Sequence, residues 1–259
     1  VQPLELPEIG LGTMGIDDSG VVATALEVGY RHLDTAQIYG NEAVVGEGID
    51  RADVPCEEVV VATKVWADSL APADVRRTTE ESLERLGLDR VDLLYVHRPI
   101  ETYEPTETLP AFDDLVAGGL AGHVGLSNFS SADLETARGV LEAPVAAHQV
   151  EFHPLFRPVD LLADARERGY PLVAYSPLAG GRAGEIDELV AVAERHDTTP
   201  EAVSLAWLLT KERVVPIPKA SSRAHLEANL AAVDLADELE PAEIERIDAI
   251  DRTEELFPE

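Results

Sequence analysis

A chain of 259 residues with a 45% hydrophobic fraction can bury one large core, and no run approaches the ~18 apolar residues that a membrane span needs. Fifty acidic residues stand against twenty basic ones, a formal charge of -30 spread along the chain, which excludes nucleic acid phosphates and anionic membranes as partners. One cysteine, Cys56, excludes an internal disulfide and a cysteine metal cluster.

Short β-rich runs alternate with longer amphipathic stretches, the pattern of βα units around a parallel sheet. A strand over 9–11, a helix over 20–28 and a strand over 31–34 come first; a helix over 42–51 leads to a strand over 59–63. Pro72 opens a helix through Leu86, followed by a fourth strand over 91–96. Helices over 110–117, 131–140 and 160–168 then alternate with strands over 122–126, 145–150 and 172–175. A helical section over 186–209, broken at Thr199-Pro200, precedes the last strand, 214–217, and helices over 223–232 and 241–250 close the chain. Eight strands, each followed by helix, favour an α/β fold of the closed (β/α)8 TIM-barrel type over an open doubly wound sheet. No Gly-x-Gly-x-x-Gly turn follows the first strand, and no linker divides the chain, so residues 1–259 read as a single domain.

In such a barrel the C-terminal edges of the strands converge on one face. Asp34, Lys64 and His97 all fall at such edges, and Tyr39 follows Asp34 by five residues. Together they form a proton-transfer centre: Lys64 as the ammonium that lowers the Tyr39 pKa, Asp34 holding Lys64 charged, His97 orienting a carbonyl. Singly they have plainer readings, Asp34 as a helix cap, Lys64 as a strand-end surface charge and His97 as a satisfied rim histidine.

The chain resembles the aldo-keto reductase family over nearly its whole length. The motifs are Gly10-Leu11-Gly12-Thr13, Gly29-Tyr30-Arg31-His32-Leu33-Asp34-Thr35-Ala36, Tyr39-Gly40-Asn41-Glu42, Thr63-Lys64-Val65-Trp66, the strand ending at His97 and Gly125-Leu126-Ser127-Asn128-Phe129. The stretch 148–154, Ala174-Tyr175-Ser176-Pro177-Leu178 and Ile217-Pro218-Lys219 follow in the family's order. The resemblance implies reduction of aldehydes or ketones by hydride from a nicotinamide cofactor, with Tyr39 as general acid, Lys64 and Asp34 as its tuning pair and His97 as substrate orienter. It further implies that Ser127, Asn128 and Gln149 bind the carboxamide, Tyr175 stacks on the nicotinamide, and Ser176 and Leu178 meet the pyrophosphate. Gly12, Thr13, Asp34, Lys219, Ala220, Ser221, His225 and Asn229 complete the cofactor contacts, and Met14, Trp66 and Arg98 join Tyr39 and His97 in the substrate pocket; Trp207 belongs to the core.

Departures from the pattern carry their own expectations. Met14 and Arg98 replace the family's usual aromatic residues near the mouth; Arg98 either favours anionic carbonyl compounds or pairs with an acid such as Glu101. Ala220 and His225 stand where the family's serine and arginine hold the adenosine 2′-phosphate, so NADPH is preferred through Lys219 and Arg223 while NADH is also usable. The end, 251–259, is short beside members that fold a long loop over the pocket, which predicts an open mouth.

Two rival readings stay open. One is a metal-dependent barrel hydrolase using Glu151 and His153 with Asp34, His97 and His148, although no ligand-dense motif supports a metal; the other is a non-enzymatic nicotinamide-binding regulatory barrel. Only three lysines against seventeen arginines, with the dispersed acids, point to a salt-filled cytoplasm of the halophilic archaeal kind. The N-terminal stretch 1–5 has neither a basic region nor an apolar segment, and the expected protein is a cytoplasmic monomer acting on a small-molecule carbonyl.

Overall fold

A computed structural model describes residues 4–257; Val1–Pro3 of the N-terminal stretch and Pro258–Glu259 of the expected tail lie outside the described residues. Eight strands form one sheet in chain order, every neighbouring pair parallel: β1 (Leu11–Gly12), β2 (His32–Asp34), β3 (Val60–Val65), β4 (Val91–Val96), β5 (Ala121–Ser127), β6 (Val145–Glu151), β7 (Leu172–Tyr175) and β8 (Val214–Pro216). Helices alternate with them: α1 (Ser19–Val28), α2 (Glu42–Arg51), α3 (Pro72–Leu86), α4 (Pro105–Ala117), α5 (Ser131–Val140), α6 (Val159–Arg168), α7 (Asp187–Arg195), α8 (Pro200–Leu209), α9 (Arg223–Glu238) and α10 (Pro241–Asp248). Two backbone bonds reach from one end of this order to the other: Gly10 N–H donates to the Pro216 carbonyl at 3.0 Å and Gly12 N–H to that of Pro218 at 3.2 Å. The glycines permit this approach, because a Cβ on Gly12 would stand 2.6 Å from the Ile217 carbonyl oxygen.

The expected helix over 110–117 begins earlier, at Pro105. Proline pre-organises the first helical turn, so the sequence offers two candidate starts. Pro105 takes that role, while Pro110 lies inside the helix on its exposed side, where the carbonyl it cannot pair is close to solvent. The first strand sits at Leu11–Gly12 rather than 9–11, and β3 runs on through Lys64 to Val65, which makes Lys64 a strand residue, opposite Tyr95. The break expected at Thr199-Pro200 is present, with the Thr199 hydroxyl accepting from Ala202 N–H at 3.2 Å.

Alternation along the strands sends one set of side chains outward under the helices and the other inward. Ala62, Leu93, Tyr95, Ala147, Val173, Val215 and Ile217 pack together inside, and Tyr95 and Ala62 are fully buried. Trp207, as expected, is core: it is wholly buried on α8, edge-on to Phe152, with its indole N–H bonded to Asp248 at 2.9 Å. The acids are placed mainly on solvated helix faces, where pairs such as Arg77 with Asp74 and Glu81 on α3 are exposed.

Candidate active site

At the C-terminal ends of the strands opens a cavity of about 660 Å³. Its walls include fifteen of the residues expected there: Gly12, Thr13, Met14, Asp34, Tyr39, Trp66, His97, Arg98, Ser127, Asn128, Gln149, Tyr175, Ser176, Leu178 and Lys219. Lys64 lies behind the wall, fully buried, with its ammonium paired to Asp34 and donating to the Thr35 carbonyl at 2.8 Å. The plainer readings therefore fail for two residues: Lys64 is no surface charge, and Asp34, also buried, caps no helix. Ala220 is buried outside the cavity, while Ser221 and His225 are exposed at the start of α9 and do not line it. Asn229 is buried and turned to the Tyr30 hydroxyl.

The ammonium of Lys64 stands 5.2 Å from the centroid of the Tyr39 ring. The expected lowering of the Tyr39 pKa is corrected here: burial raises it, and the Lys64 charge, pulling the other way, does not win. For Lys64 the balance is reversed. Burial is the largest influence and lowers its pKa, yet the summed pull of Asp34 and Tyr39 leaves it raised. Both groups are thus protonated at neutral pH. His97 is pushed down to about 2 by burial, with the Lys64 and Arg98 charges adding to the effect, so its imidazole is neutral. Its ring meets Trp66 edge-on at 4.9 Å and Tyr39 at 6.0 Å, and its Nδ1 is buried without a protein partner.

The amide-bearing residues are wired in definite orientations. Gln149 Nε2 donates to Asp34 Oδ2 at 2.7 Å; a carboxylate only accepts, so the amide oxygen of Gln149 is left for a donor in the cavity. Asn128 Nδ2 donates to the His97 carbonyl at 3.0 Å and to Ser127 Oγ at 3.1 Å, while its Oδ1 accepts from the Tyr175 hydroxyl at 2.9 Å. Asn128 and Ser176 both take left-handed backbone angles, φ 59° and 51°, a costly geometry that concentrates at functional sites. A neutral carboxamide needs an acceptor and a donor, which Gln149 and Ser127 offer, and the exposed Lys219 ammonium beside Gly15 suits a phosphate. These donors and acceptors fit a nicotinamide dinucleotide.

The motif Tyr39-Gly40-Asn41-Glu42 divides by function. Asn41 donates to the carbonyls of Thr13 and Ile16 at 2.7 and 3.0 Å, fixing the loop after β1. Glu42 accepts from Thr63 and Arg85. Arg223, expected to help hold a phosphate, is instead engaged by Glu27 and Glu227 at 3.0 and 3.3 Å. Arg98 does not pair with Glu101; it reaches the Phe257 carbonyl at 3.4 Å. The tail reaches the cavity and places Phe257 on its wall beside Tyr175. Ile38, Ile100 and Phe257 were missed by sequence reasoning, since an apolar residue in a loop carries no chemical signal. The residues of the metal reading scatter: Asp34 holds Lys64, His148 accepts from Phe129 N–H, and Glu151 binds His153. Among the described residues no group of three His, Cys, Asp or Glu side chains is placed to hold a metal ion.

Eight parallel strands thus gather a tyrosine, a buried lysine–aspartate pair and a histidine around one cavity at their C-terminal ends. Residues 8–252 match the aldo/keto reductase family, and the chain belongs to it, as an NAD(P)H-dependent oxidoreductase acting on carbonyl compounds. Methylglyoxal reductase DkgB of Escherichia coli O157:H7 is 35% identical over 259 residues, covering 98% of this chain and 96% of that protein. An aldo-keto reductase of Mycolicibacterium vanbaalenii is 36% identical over 260 residues, covering 98% and 91%. An aldo-keto reductase from a Medee basin deep-sea metagenome library superposes with a TM-score of 0.92 at 31% identity, covering 99% of this chain and 95% of that one.

Proposed function

We propose that Tyr39 is the proton donor in reduction of small aldehydes, ketones or dicarbonyls, on one closed (β/α)8 barrel domain that works as a cytoplasmic monomer at high salt. The observation that carries this reading is the buried Lys64–Asp34 pair behind Tyr39, with the neutral His97 ring facing the same cavity. Closure of the barrel is supported by the two backbone bonds from Gly10 and Gly12. A methylglyoxal reductase among the relatives makes small dicarbonyls the first substrates to try.

When bound, a nicotinamide cofactor supplies the hydride that forms the new C–H bond. His97, neutral, offers one N–H to the carbonyl oxygen and fixes where that oxygen sits. As hydride adds, the oxygen becomes more basic than a phenolate and takes the Tyr39 proton, completing the O–H bond. The phenolate left behind lies beside the Lys64 ammonium, which Asp34 keeps charged inside the protein. A raised Tyr39 pKa suits this sequence of events, because the donor stays protonated until charge develops. Gln149 and Ser127 would orient the carboxamide, Tyr175 would support the ring and Lys219 would hold phosphate. NADPH is preferred through Lys219, and NADH is also used, since His225 replaces a permanently charged residue and Arg223 is drawn off by two carboxylates.

Tyr39→Phe tests the assignment. Turnover of methylglyoxal should fall about 10²- to 10⁴-fold, the usual worth of a general acid, while NADPH still quenches protein fluorescence with a similar Kd. Turnover near that of the wild type would remove Tyr39 from the mechanism.

A further inference from the structure

Glu151 and His153, which suggested a metal in the sequence, are taken up by neither the reaction nor an ion. Glu151 ends β6 and His153 follows in the next loop; both are buried, at 3% and 0% exposure. Leu155 N–H donates to His153 Nδ1 at 3.2 Å, so Nδ1 carries no proton and the opposite nitrogen, Nε2, donates to Glu151 Oε1 at 2.8 Å. The same carboxylate accepts two backbone groups from the end of the chain, Leu256 N–H on Oε1 at 2.7 Å and Phe257 N–H on Oε2 at 3.1 Å.

The tail these bonds hold is tied to three loops around the cavity. Glu254 N–H donates to the Leu155 carbonyl at 2.8 Å, and the Glu254 carboxylate pairs with Arg182 at 2.7 Å. Leu256 packs over Gly180, where a Cβ would stand 3.1 Å from Leu256 Cδ1. Phe257 meets Tyr175 edge-on with ring centroids 5.7 Å apart, and its carbonyl accepts from Arg98. Glu254 and Leu256 grip the loop after β7, while Phe257 forms a wall of the cavity itself.

We propose that Glu151 is a positioning residue of the reductase: its carboxylate, oriented by His153, latches the backbone at Leu256 and Phe257 and so keeps Phe257 against Tyr175 as the wall on which the carbonyl substrate rests. The other polar contacts of the tail are a neutral backbone bond at Glu254, the solvent-reached Arg182–Glu254 pair and the 3.4 Å bond from Arg98, whereas this one is a buried carboxylate on two N–H groups, the stronger kind of hydrogen bond. The inference rests on the carbonyl-reductase reading above, but its first readout does not.

Glu151→Gln keeps the volume and one acceptor oxygen while turning an N–H donor toward a backbone N–H. Amide hydrogen exchange at Leu256 and Phe257 should quicken by about tenfold or more, as expected for losing one charge-assisted bond. KM for the carbonyl should rise several-fold with kcat within about twofold, since no proton or hydride donor has moved. Leu256→Pro, which deletes one latched N–H in the tail, outside the barrel, should quicken exchange at Phe257 and raise KM likewise even if Glu151→Gln folds poorly. The two changes combined should be no worse than either alone. Unchanged tail exchange in both variants, or additive KM effects, would overturn the latch. A wild-type chain that reduces no carbonyl would instead sink the functional reading, with tail exchange still reporting on Glu151.

Discussion

Replacing Asp34 by asparagine separates the electrostatic part of the site from its shape. The carboxylate holds the buried Lys64 ammonium and accepts from Gln149 at 2.7 Å; asparagine keeps the outline and loses the charge. Removing one partner of a buried pair costs about 3–5 kcal/mol, and the amide oxygen that remains for Lys64 puts this case near ~3. At roughly 2–4 °C per kcal/mol for a chain of this size, the Tm should drop by ~6–12 °C. The pH dependence is more diagnostic. In the wild type the native Lys64 pKa lies above its ordinary 10.5, so its stabilising effect is complete below that value and lost as pH climbs through the native pKa. In Asp34→Asn burial is no longer outweighed, and the native Lys64 pKa falls below the ordinary one. The unfolded chain then binds the extra proton, and stability increases with pH as Lys64 becomes neutral. Calorimetric Tm measured from roughly pH 7 to 10 should be flat for the wild type and rising for the variant. Adding Lys64→Met removes the stranded charge and should restore part of the Tm while leaving the enzyme inactive. A variant that melts within about 2 °C of the wild type with the same slope would refute the argument.

Raising salt from low to molar concentration shrinks the Debye length to about 3 Å and should raise Tm and activity together, because it screens repulsion within a chain of charge -30; a flat thermal midpoint would remove the halophilic reading. His225→Arg places a fixed charge near the start of α9 and should raise the NADPH-to-NADH ratio of kcat/KM; an unchanged ratio would take this position away from the 2′-phosphate. With His97 pushed down to about 2, the pH profile of kcat/KM should show no histidine inflection from this ring between roughly pH 5 and 8, and an inflection there that vanishes in His97→Gln would contradict its neutral assignment.

Motif order and strand-edge placement were enough to bring Asp34, Tyr39, His97 and the amide residues to one cavity, because alternation along short parallel strands leaves little choice of face. What the sequence hid was competition between opposing effects. Whether Lys64 or burial governs Tyr39 depends on how much protein surrounds the phenol, which no spacing reveals. Arg223 looked free until α1 brought Glu27 within 3.0 Å of it. The pair of Pro105 and Pro110 offered two starts for one helix, and burial of Thr108, Leu109 and Phe112 favours the longer segment. The hold on the tail was illegible because Phe257 meets Glu151 across 106 residues, a contact made on the tail's side by a backbone group that nearly every residue possesses.

The scarcity of lysine has a practical consequence. Of three amines on side chains, Lys64 is sealed inside and Lys211 is held between Asp248 and the face of Trp207, leaving Lys219 exposed at the cavity rim. An acylating or reductively methylating reagent therefore meets Lys219 as the one exposed lysine, and it stands where a phosphate would bind. A fluorophore attached there would report ligand occupancy without any engineered attachment point, and a bound dinucleotide would shield the amine from the label.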